Sequence, residues 1–154
     1  MLTIDRIAIT ATPDRVFATA RDVERWPRIL GHYRWVRMLE SRPAGALVEM
    51  AAWRPFGALR WPTWWVSEMT VDAGAREIRY RHVRGVTTGM DVVWRLSAAP
   101  DSGTVTIDLE HRWGGPDWPL IGPAAAALVI GPVFVHGIAS RTLAGIKRYL
   151  EAGA

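Results

Sequence analysis

The feature that most constrains this chain is a run of period-two alternation that extends from His32 to Trp113. Apolar and polar side chains alternate through six segments, and short clusters of Gly, Pro, Asp and Ser separate these segments. Such short links join antiparallel neighbours, because a parallel pair needs a much longer crossover connection. The predicted strands are 32–41, 46–54, 61–72, 76–84, 88–98 and 103–113.

Helices are predicted on both sides of this run. Residues 2–10 form a first strand, and Thr12-Pro13-Asp14 then favours a helix start, with Thr as N-cap and Pro in the first turn. A second short helix is expected between Asp22 and Leu30. The last helix is expected to begin at Pro132. Its apolar stripe recurs at three and four residues and comprises Val135, Ile138, Ala139, Thr142, Leu143, Ile146, Tyr149 and Leu150.

This order of elements predicts an α+β architecture with seven antiparallel strands in one curved sheet. The last helix is the element long enough to cover the concave face, so the sheet is expected to wrap around it. The chain has 154 residues, of which 49% are hydrophobic and 22% charged. That composition is typical of one globular domain, which we place at residues 1–154.

Alternation also assigns the inner face of the later strands, because the mainly apolar face of each strand must lie inside. The side chains predicted to point inward are Val105, Ile107, Leu109, His111, Trp113, Met90, Val92, Trp94, Leu96, Ile78, Tyr80 and His82. In 61–72 we assign the inner face to Trp61, Thr63, Trp65, Ser67, Met69 and Val71, since the other choice buries Glu68. The segments 32–41 and 46–54 are apolar on both faces, so their orientation stays open.

Tryptophan is unusually frequent, with nine residues against three Tyr and three Phe. This surplus indicates either a bulky core or a cavity lined by aromatic rings. The inward set is rich in Trp and holds few polar groups, which is typical of a ligand pocket. The candidate ligand-binding residues are Trp35, Trp53, Trp61, Trp65, Met69, His82, Met90, Trp94, Trp113, Phe134 and Ile138. Packing in the core is the alternative interpretation for these side chains.

Several classes of function are disfavoured by composition and spacing. The net charge is only +4 and no basic run is present, so nucleic acid is not an expected partner. The absence of cysteine excludes thiolate sites, and no His or carboxylate pair has metal spacing. We therefore expect neither a metal nor a cofactor. His32 and His136 are expected to be exposed.

Segment 118–135 contains no charged residue. Its two Gly-Pro pairs would break a membrane-spanning helix, so we expect a loop, a short helix at 123–130 and the start of the last helix. Peripheral contact with a lipid surface through this segment is an alternative. The N-terminus lacks the pattern of a secretory signal, so a cytoplasmic location is expected.

The opening Ile9-Thr-Ala-Thr-Pro-Asp-Arg-Val-Phe17, with Asp22-Val23 and Trp26-Pro27, resembles the START/Bet v 1-like (SRPBCC) superfamily. It is most similar to the polyketide cyclase/dehydrase and coenzyme Q-binding branch. The resemblance continues through Gly85-Val-Thr-Thr-Gly-Met90 with Trp94, through Gly103-Thr-Val-Thr-Ile107 and through Ala139-Ser-Arg-Thr-Leu143. It implies a helix-grip fold whose deep cavity holds a hydrophobic or aromatic ligand such as a polyketide, a quinone or a lipid.

The resemblance also implies candidate catalytic residues. Aromatase/cyclases of this superfamily close a poly-β-keto chain by aldol reaction and dehydration, often with a histidine near the end of the last strand, where His111 falls. Tyr80 or a Trp N–H can donate to the developing enolate oxygen. Other members place an arginine on a middle strand and an acid on the final helix, where this chain is expected to carry Glu68 or Met69 and Arg141.

Two functions remain open from the sequence. One is a cyclase/dehydratase-like enzyme acting on a polyketide-like substrate, and the other is a non-catalytic carrier of a lipid or quinone. A monomer and a homodimer are both compatible with the sequence.

Overall fold

The computed structural model describes residues 1–56, 59–100, 102–115 and 135–153. The chain forms β1 (Leu2–Thr10), α1 (Pro13–Arg21), a 3-10 turn (Val23–Arg25), α2 (Trp26–Ile29), β2 (Tyr33–Arg42), β3 (Gly45–Phe56), β4 (Leu59–Asp72), β5 (Glu77–Gly85), β6 (Asp91–Ala98), β7 (Thr104–Arg112) and α3 (His136–Ala152). The expected helix at 123–130, the expected helix start at Pro132 and the candidate Phe134 lie outside the described residues.

The seven strands form one antiparallel sheet in the order β1-β7-β6-β5-β4-β3-β2. The last helix, α3, buries Ala139, Leu143, Ile146 and Leu150 in the same core as the inner face of the sheet. Lys147 on α3 ties this helix to the edge strand β1, since its ammonium donates to the Ala8 carbonyl oxygen over 2.7 Å. The predicted α+β helix-grip architecture is therefore confirmed. None of the described helices is long and apolar enough to cross a membrane.

Between β1 and β2, the local sequence sets the helix boundaries. The Thr12 hydroxyl accepts a hydrogen bond from the Arg15 backbone N–H, and α1 buries Val16, Phe17 and Ala20. The segment expected as one short helix between Asp22 and Leu30 is instead a 3-10 turn followed by α2. Pro27 lies in the first turn of α2, where its missing N–H costs no helical hydrogen bond.

The inward assignment of β5, β6 and β7 is confirmed, since the predicted apolar side chains are buried. The inner face of β3, which the sequence leaves open, is the face of Val48, Met50 and Arg54, because these side chains are buried. In β2 Tyr33 is buried, and a register shift between Tyr33 and Trp35 changes the phase of the alternation, so Trp35 lies on the outer face.

One assignment in β4 is wrong. The alternation predicts an inward Trp61, but its side chain is 65% exposed, whereas Trp65 on the same strand is buried. The reason is that β4 pairs with β5 only from Trp65 onward, while the preceding residues pair with β3 alone. This end of β4 is therefore an edge, which also explains how the strand tolerates Pro62.

Candidate functional site

A cavity of about 70 Å³ lies between α3 and the inner face of the sheet. A single water needs about 10–15 Å³ measured in this way, so the cavity has room for several waters or a small organic group. Its apolar lining consists of Trp26, Met50, Trp65, Met90, Val92, Trp94, Leu109, Val135, Ile138 and Ala139. Its polar lining consists of Tyr33, Arg54, Tyr80, His82, Thr87, His111 and Thr142. Among the described residues, the site is thus apolar with a small set of polar groups.

Aromatic rings form one continuous side of the cavity. Trp26 lies with its ring centroid 5.2 Å from Tyr33 and 5.6 Å from Trp94, and Tyr33 lies 6.3 Å from Trp65. The imidazole of His82 stacks on Trp65 at 5.9 Å with an interplanar angle of 18°. Neighbouring rings at these separations restrain one another, although most of them are inclined rather than coplanar, with interplanar angles of 65°, 41° and 60°.

His111 and Tyr80 present polar atoms without a hydrogen-bond partner among the described residues. The Nδ1 atom of His111 and the hydroxyl of Tyr80 are both buried and unsatisfied. Burial, with a smaller contribution from Arg54, lowers the pKa of His111 to about 4, so the imidazole is neutral at neutral pH. Burial raises the pKa of Tyr80 well above its usual value, so the phenol stays protonated and can donate.

Arg54 brings a positive charge to the same cavity. Its side chain is buried, and burial lowers the pKa of the guanidinium to about 8, which leaves it mainly protonated at neutral pH. Burial also raises the pKa of Tyr33 to about 12, although a hydrogen bond with Thr142 opposes this shift. Among the described lining residues, the cavity therefore combines the Arg54 guanidinium with the protonated phenols of Tyr33 and Tyr80.

The other two histidines are His32, which contacts α3, and His136, which is the first residue of α3. His32 is half-buried rather than exposed as expected, because its Nε2 atom is 2.9 Å from the Thr142 hydroxyl on α3. Burial, together with Arg141 and Arg148, lowers the pKa of His32 to about 4. His136 is exposed as expected, and its Nδ1 atom lies 2.5 Å from the buried carboxylate of Asp5.

The structure brings together only part of the predicted site. Seven of the predicted residues line the cavity, namely His111, Tyr80, Trp65, His82, Met90, Trp94 and Ile138. Met69 and Trp113 are buried in the core but are not among the lining residues.

Three predicted tryptophans lie away from the cavity. Trp35 and Trp53 lie on the outer face, where the guanidinium groups of Arg37 and Arg34 sit 4.6 Å from their ring centroids. Trp61 is exposed at the end of β4. Trp35 is turned outward by the register shift in β2, Trp53 belongs to the face of β3 opposite Met50 and Arg54, and Trp61 lies where β4 pairs with β3 alone.

The sequence interpretation missed Arg54, Tyr33, Trp26 and Thr142. Arg54 sits on β3, a middle strand, so the cavity does contain a middle-strand arginine, but not at the position expected from the resemblance. The alternation Val48, Met50, Ala52, Arg54 is visible in the sequence, yet its charged last member favours the outer face. Among the described residues, no group of three or more His, Asp or Glu side chains is placed to hold a metal ion.

Comparison with known proteins was made on sequence and on structure. A family model described as polyketide cyclase/dehydrase and lipid transport matches residues 9–130. The sequence gives no match among curated proteins. The fold is similar to that of TTHA0849 from Thermus thermophilus, with a TM-score of 0.80, 17% identity and coverage of 100% of this chain and 99% of that chain.

Two further solved structures are similar. The ZhuI aromatase/cyclase from Streptomyces sp. R1128 has a TM-score of 0.80 and 18% identity, over 100% of this chain and 98% of that chain. A START superfamily protein from Mycobacterium smegmatis has a TM-score of 0.69 and 13% identity, over 99% of both chains. At such identities the similarity establishes the fold alone.

Proposed function

The chain belongs to the polyketide cyclase/dehydrase and lipid transport family, and we propose that it is a cyclase-like enzyme. In this proposal its single domain binds a hydrophobic or aromatic keto compound in the cavity and promotes aldol cyclisation and dehydration. His111 and Tyr80 are the proposed catalytic residues, and Arg54 assists them.

The observation that carries this proposal is the pair of unsatisfied polar groups in an apolar cavity. Among the described residues, His111 Nδ1 and the Tyr80 hydroxyl are buried without a partner. Leaving such a group unsatisfied costs about 1–3 kcal/mol. A ligand that carries carbonyl or hydroxyl oxygens recovers this cost by pairing with them, whereas a plain hydrocarbon does not.

The chemistry follows from the protonation states. Neutral His111 takes a proton from the carbon next to a substrate carbonyl, and the Tyr80 hydroxyl and the Arg54 guanidinium stabilise the enolate oxygen. The enolate carbon then attacks a second carbonyl of the same chain, which forms the C–C bond, and the imidazolium returns its proton to the resulting alkoxide. Loss of this hydroxyl with a neighbouring proton releases one water and leaves a conjugated ring.

A non-catalytic carrier of a lipid or quinone is the second candidate. It is favoured by the mainly apolar lining, in which the indoles of Trp26, Trp65 and Trp94 offer broad flat surfaces. In a carrier the polar groups only orient the cargo, and no bond changes.

Kinetics on a short linear diketone, whose aldol closure yields a conjugated cyclic enone, separate the two functions. We expect the wild-type protein to accelerate closure, seen as growth of the enone absorbance. His111→Ala and the shape-preserving His111→Gln should lower turnover at least about 100-fold and leave diketone affinity within a few-fold. Native mass spectrometry of the purified protein would identify a retained ligand.

The outcomes separate the two functions. Tight binding of the diketone by the wild-type protein without closure supports the carrier. Full activity of both His111 variants contradicts the catalytic role of that residue.

A further inference from the structure

The loop that joins β5 to β6 is held by an unusually complete set of hydrogen bonds. The backbone N–H of His82 donates to the Met90 carbonyl over 2.9 Å, and the N–H of Gly89 donates to the His82 carbonyl over 2.8 Å. The Thr88 hydroxyl donates to the Gly85 carbonyl over 2.7 Å. Trp113 contributes from β7, since its Nε1 donates to the Thr88 carbonyl over 3.0 Å. The loop is therefore fixed at both ends and in its middle.

Glycine is required at the start of this loop. Gly85 has a φ of +99°, and a Cβ atom there would lie 2.4 Å from the Trp64 carbonyl oxygen and 2.7 Å from the Trp65 Cα. Any other residue would push the loop away from β4. The Gly85-Val-Thr-Thr-Gly-Met90 motif thus specifies one loop conformation.

The loop delivers one side chain into the cavity wall. Thr87 is only 2% exposed, and its hydroxyl oxygen lies 2.6 Å from Nδ1 of His82. His82 is held on its face by Trp65 and at Nδ1 by Thr87, and both Thr87 and His82 line the cavity. An imidazole has two ring nitrogens, so Nε2 is the one left to meet a ligand.

We propose that His82 is a second ligand-contacting imidazole, which hydrogen-bonds a ligand oxygen through Nε2, and that Thr87 is its positioning residue. The proposal rests on the proposed function only in that the cavity takes an oxygen-bearing ligand. It adds a third polar contact to those that His111 and Tyr80 offer to a ligand oxygen. The rigid loop selects a keto or hydroxy compound over a hydrocarbon of the same shape.

The protonation state of His82 fits this role. Burial lowers its pKa to about 3, and His111 and Arg54 add to the shift, so the ring stays neutral at neutral pH. A neutral imidazole offers one N–H donor and one acceptor nitrogen. The Thr87 hydroxyl can donate or accept, so it pairs with Nδ1 in either tautomer and fixes the orientation of the ring, which leaves Nε2 for the ligand.

The test uses the full chain with isotope-labelled histidine, heteronuclear NMR and acetophenone as the probe. In the wild-type protein we expect a neutral His82 and a shift of its Nε2 signal when acetophenone is added. Thr87→Val removes the hydroxyl that orients the ring at nearly constant volume, so the Nε2 shift should shrink and acetophenone affinity should fall about 3- to 10-fold. Thr87→Ser should restore the wild-type Nε2 shift and affinity.

Two controls make the result specific. Thr88→Val removes the neighbouring hydroxyl of the same loop, which bonds Gly85 instead of His82, and should leave the Nε2 response and the affinity unchanged. Ethylbenzene, which has the shape of acetophenone without its oxygen, should bind Thr87→Val and the wild-type protein equally. If Thr87→Val does not fold, His82→Phe, which retains a ring against Trp65, provides the same comparison of the two probes.

Three outcomes overturn the inference: an unchanged Nε2 response to acetophenone in Thr87→Val, an acetophenone response at Nδ1 instead of Nε2, and equal losses for acetophenone and ethylbenzene. None of these depends on turnover. A wild-type protein that fails to close the diketone but meets these NMR expectations refutes the cyclase function and leaves the role of Thr87 intact. Diketone closure that depends on His111 but not on Thr87 supports the cyclase function and counts against the role of Thr87.

Discussion

The two faces of the sheet use the same residue type in opposite ways. On the inner face Trp65 and Trp94 line a cavity beside polar groups that lack partners among the described residues. On the outer face Trp35 and Trp53 lie under arginine guanidinium groups, and the Trp64 Nε1 donates to Glu49 over 2.8 Å.

The difference shows that the polar groups without a hydrogen-bond partner, among the described residues, are concentrated on the inner face. Ala51 lies opposite both Trp35 and Trp64 in the strand register and is completely buried, although it belongs to the outer face. The outer indoles therefore cover the sheet, and their polar partners lie within the protein. The inner indoles surround space in which a ligand can supply the partners.

The largest expected effect comes from neighbouring tryptophans on opposite faces. Trp65→Ala should lower the free energy of unfolding by about 3–5 kcal/mol and should weaken ketone binding, because it removes a buried ring from the cavity wall. Trp64→Ala is the matched control: its ring is 39% exposed and lies outside the cavity, so the variant should cost less stability than Trp65→Ala and leave ketone binding unchanged. Chemical denaturation and acetophenone titration measure both. Equal losses of binding in the two variants would remove the distinction between the faces.

The next effect is the pH dependence of stability. His111 is neutral when buried and has a pKa of about 4, against 6.5 in the unfolded chain, so the unfolded state binds more protons between these values. The contribution of neutral His111 to stability is complete above about pH 6.5, and its loss should lower stability by about 3 kcal/mol as the pH drops to about 4.

His111→Gln provides the control for this pH dependence. The variant should show a shallower loss of stability in acid, measured by denaturation at several pH values. An equally steep loss in His111→Gln would place the titrating groups elsewhere.

A smaller effect is expected on the outer face. A double-mutant cycle on Arg34 and Trp53 should give a coupling energy of about 0.5–1 kcal/mol, the usual size of an exposed cation–π pair. Acetophenone affinity should not change in any variant of the cycle. A change in affinity would connect the outer face to the cavity.

The smallest effect is expected at Trp61. Because this side chain is mainly exposed, Trp61→Ser should change stability by less than about 0.5 kcal/mol and leave ketone binding unaltered. Reduced binding would return Trp61 to the ligand-binding set that the sequence predicts. Thermal unfolding and the acetophenone titration decide between these results.

The architecture was predictable because its signals are local. Turn residues separate the strands, and Asp91 and Arg95 mark the outer face of β6 opposite Trp94, which leaves one choice of core. The same rule assigned His111 and Tyr80 to the inside. These assignments needed only the alternation of apolar and polar residues along the strands.

The rest of the site depends on features that alternation does not encode. A register shift moves Trp35 outward after the buried Tyr33. Arg54 faces inward although charge favours the outside, because the apolar phase of β3 continues through Ala52 to its position. The Thr87–His82 contact arises from a loop, and only the folded chain shows that the two side chains meet.

The most direct test of the difference between the faces is an indole N–H NMR spectrum of the nine tryptophans during titration with acetophenone. We expect shifts for Trp26, Trp65 and Trp94, which line the cavity, and unmoved signals for Trp35, Trp53 and Trp64. A spectrum in which the outer set moves while the cavity set stays still would contradict this expectation.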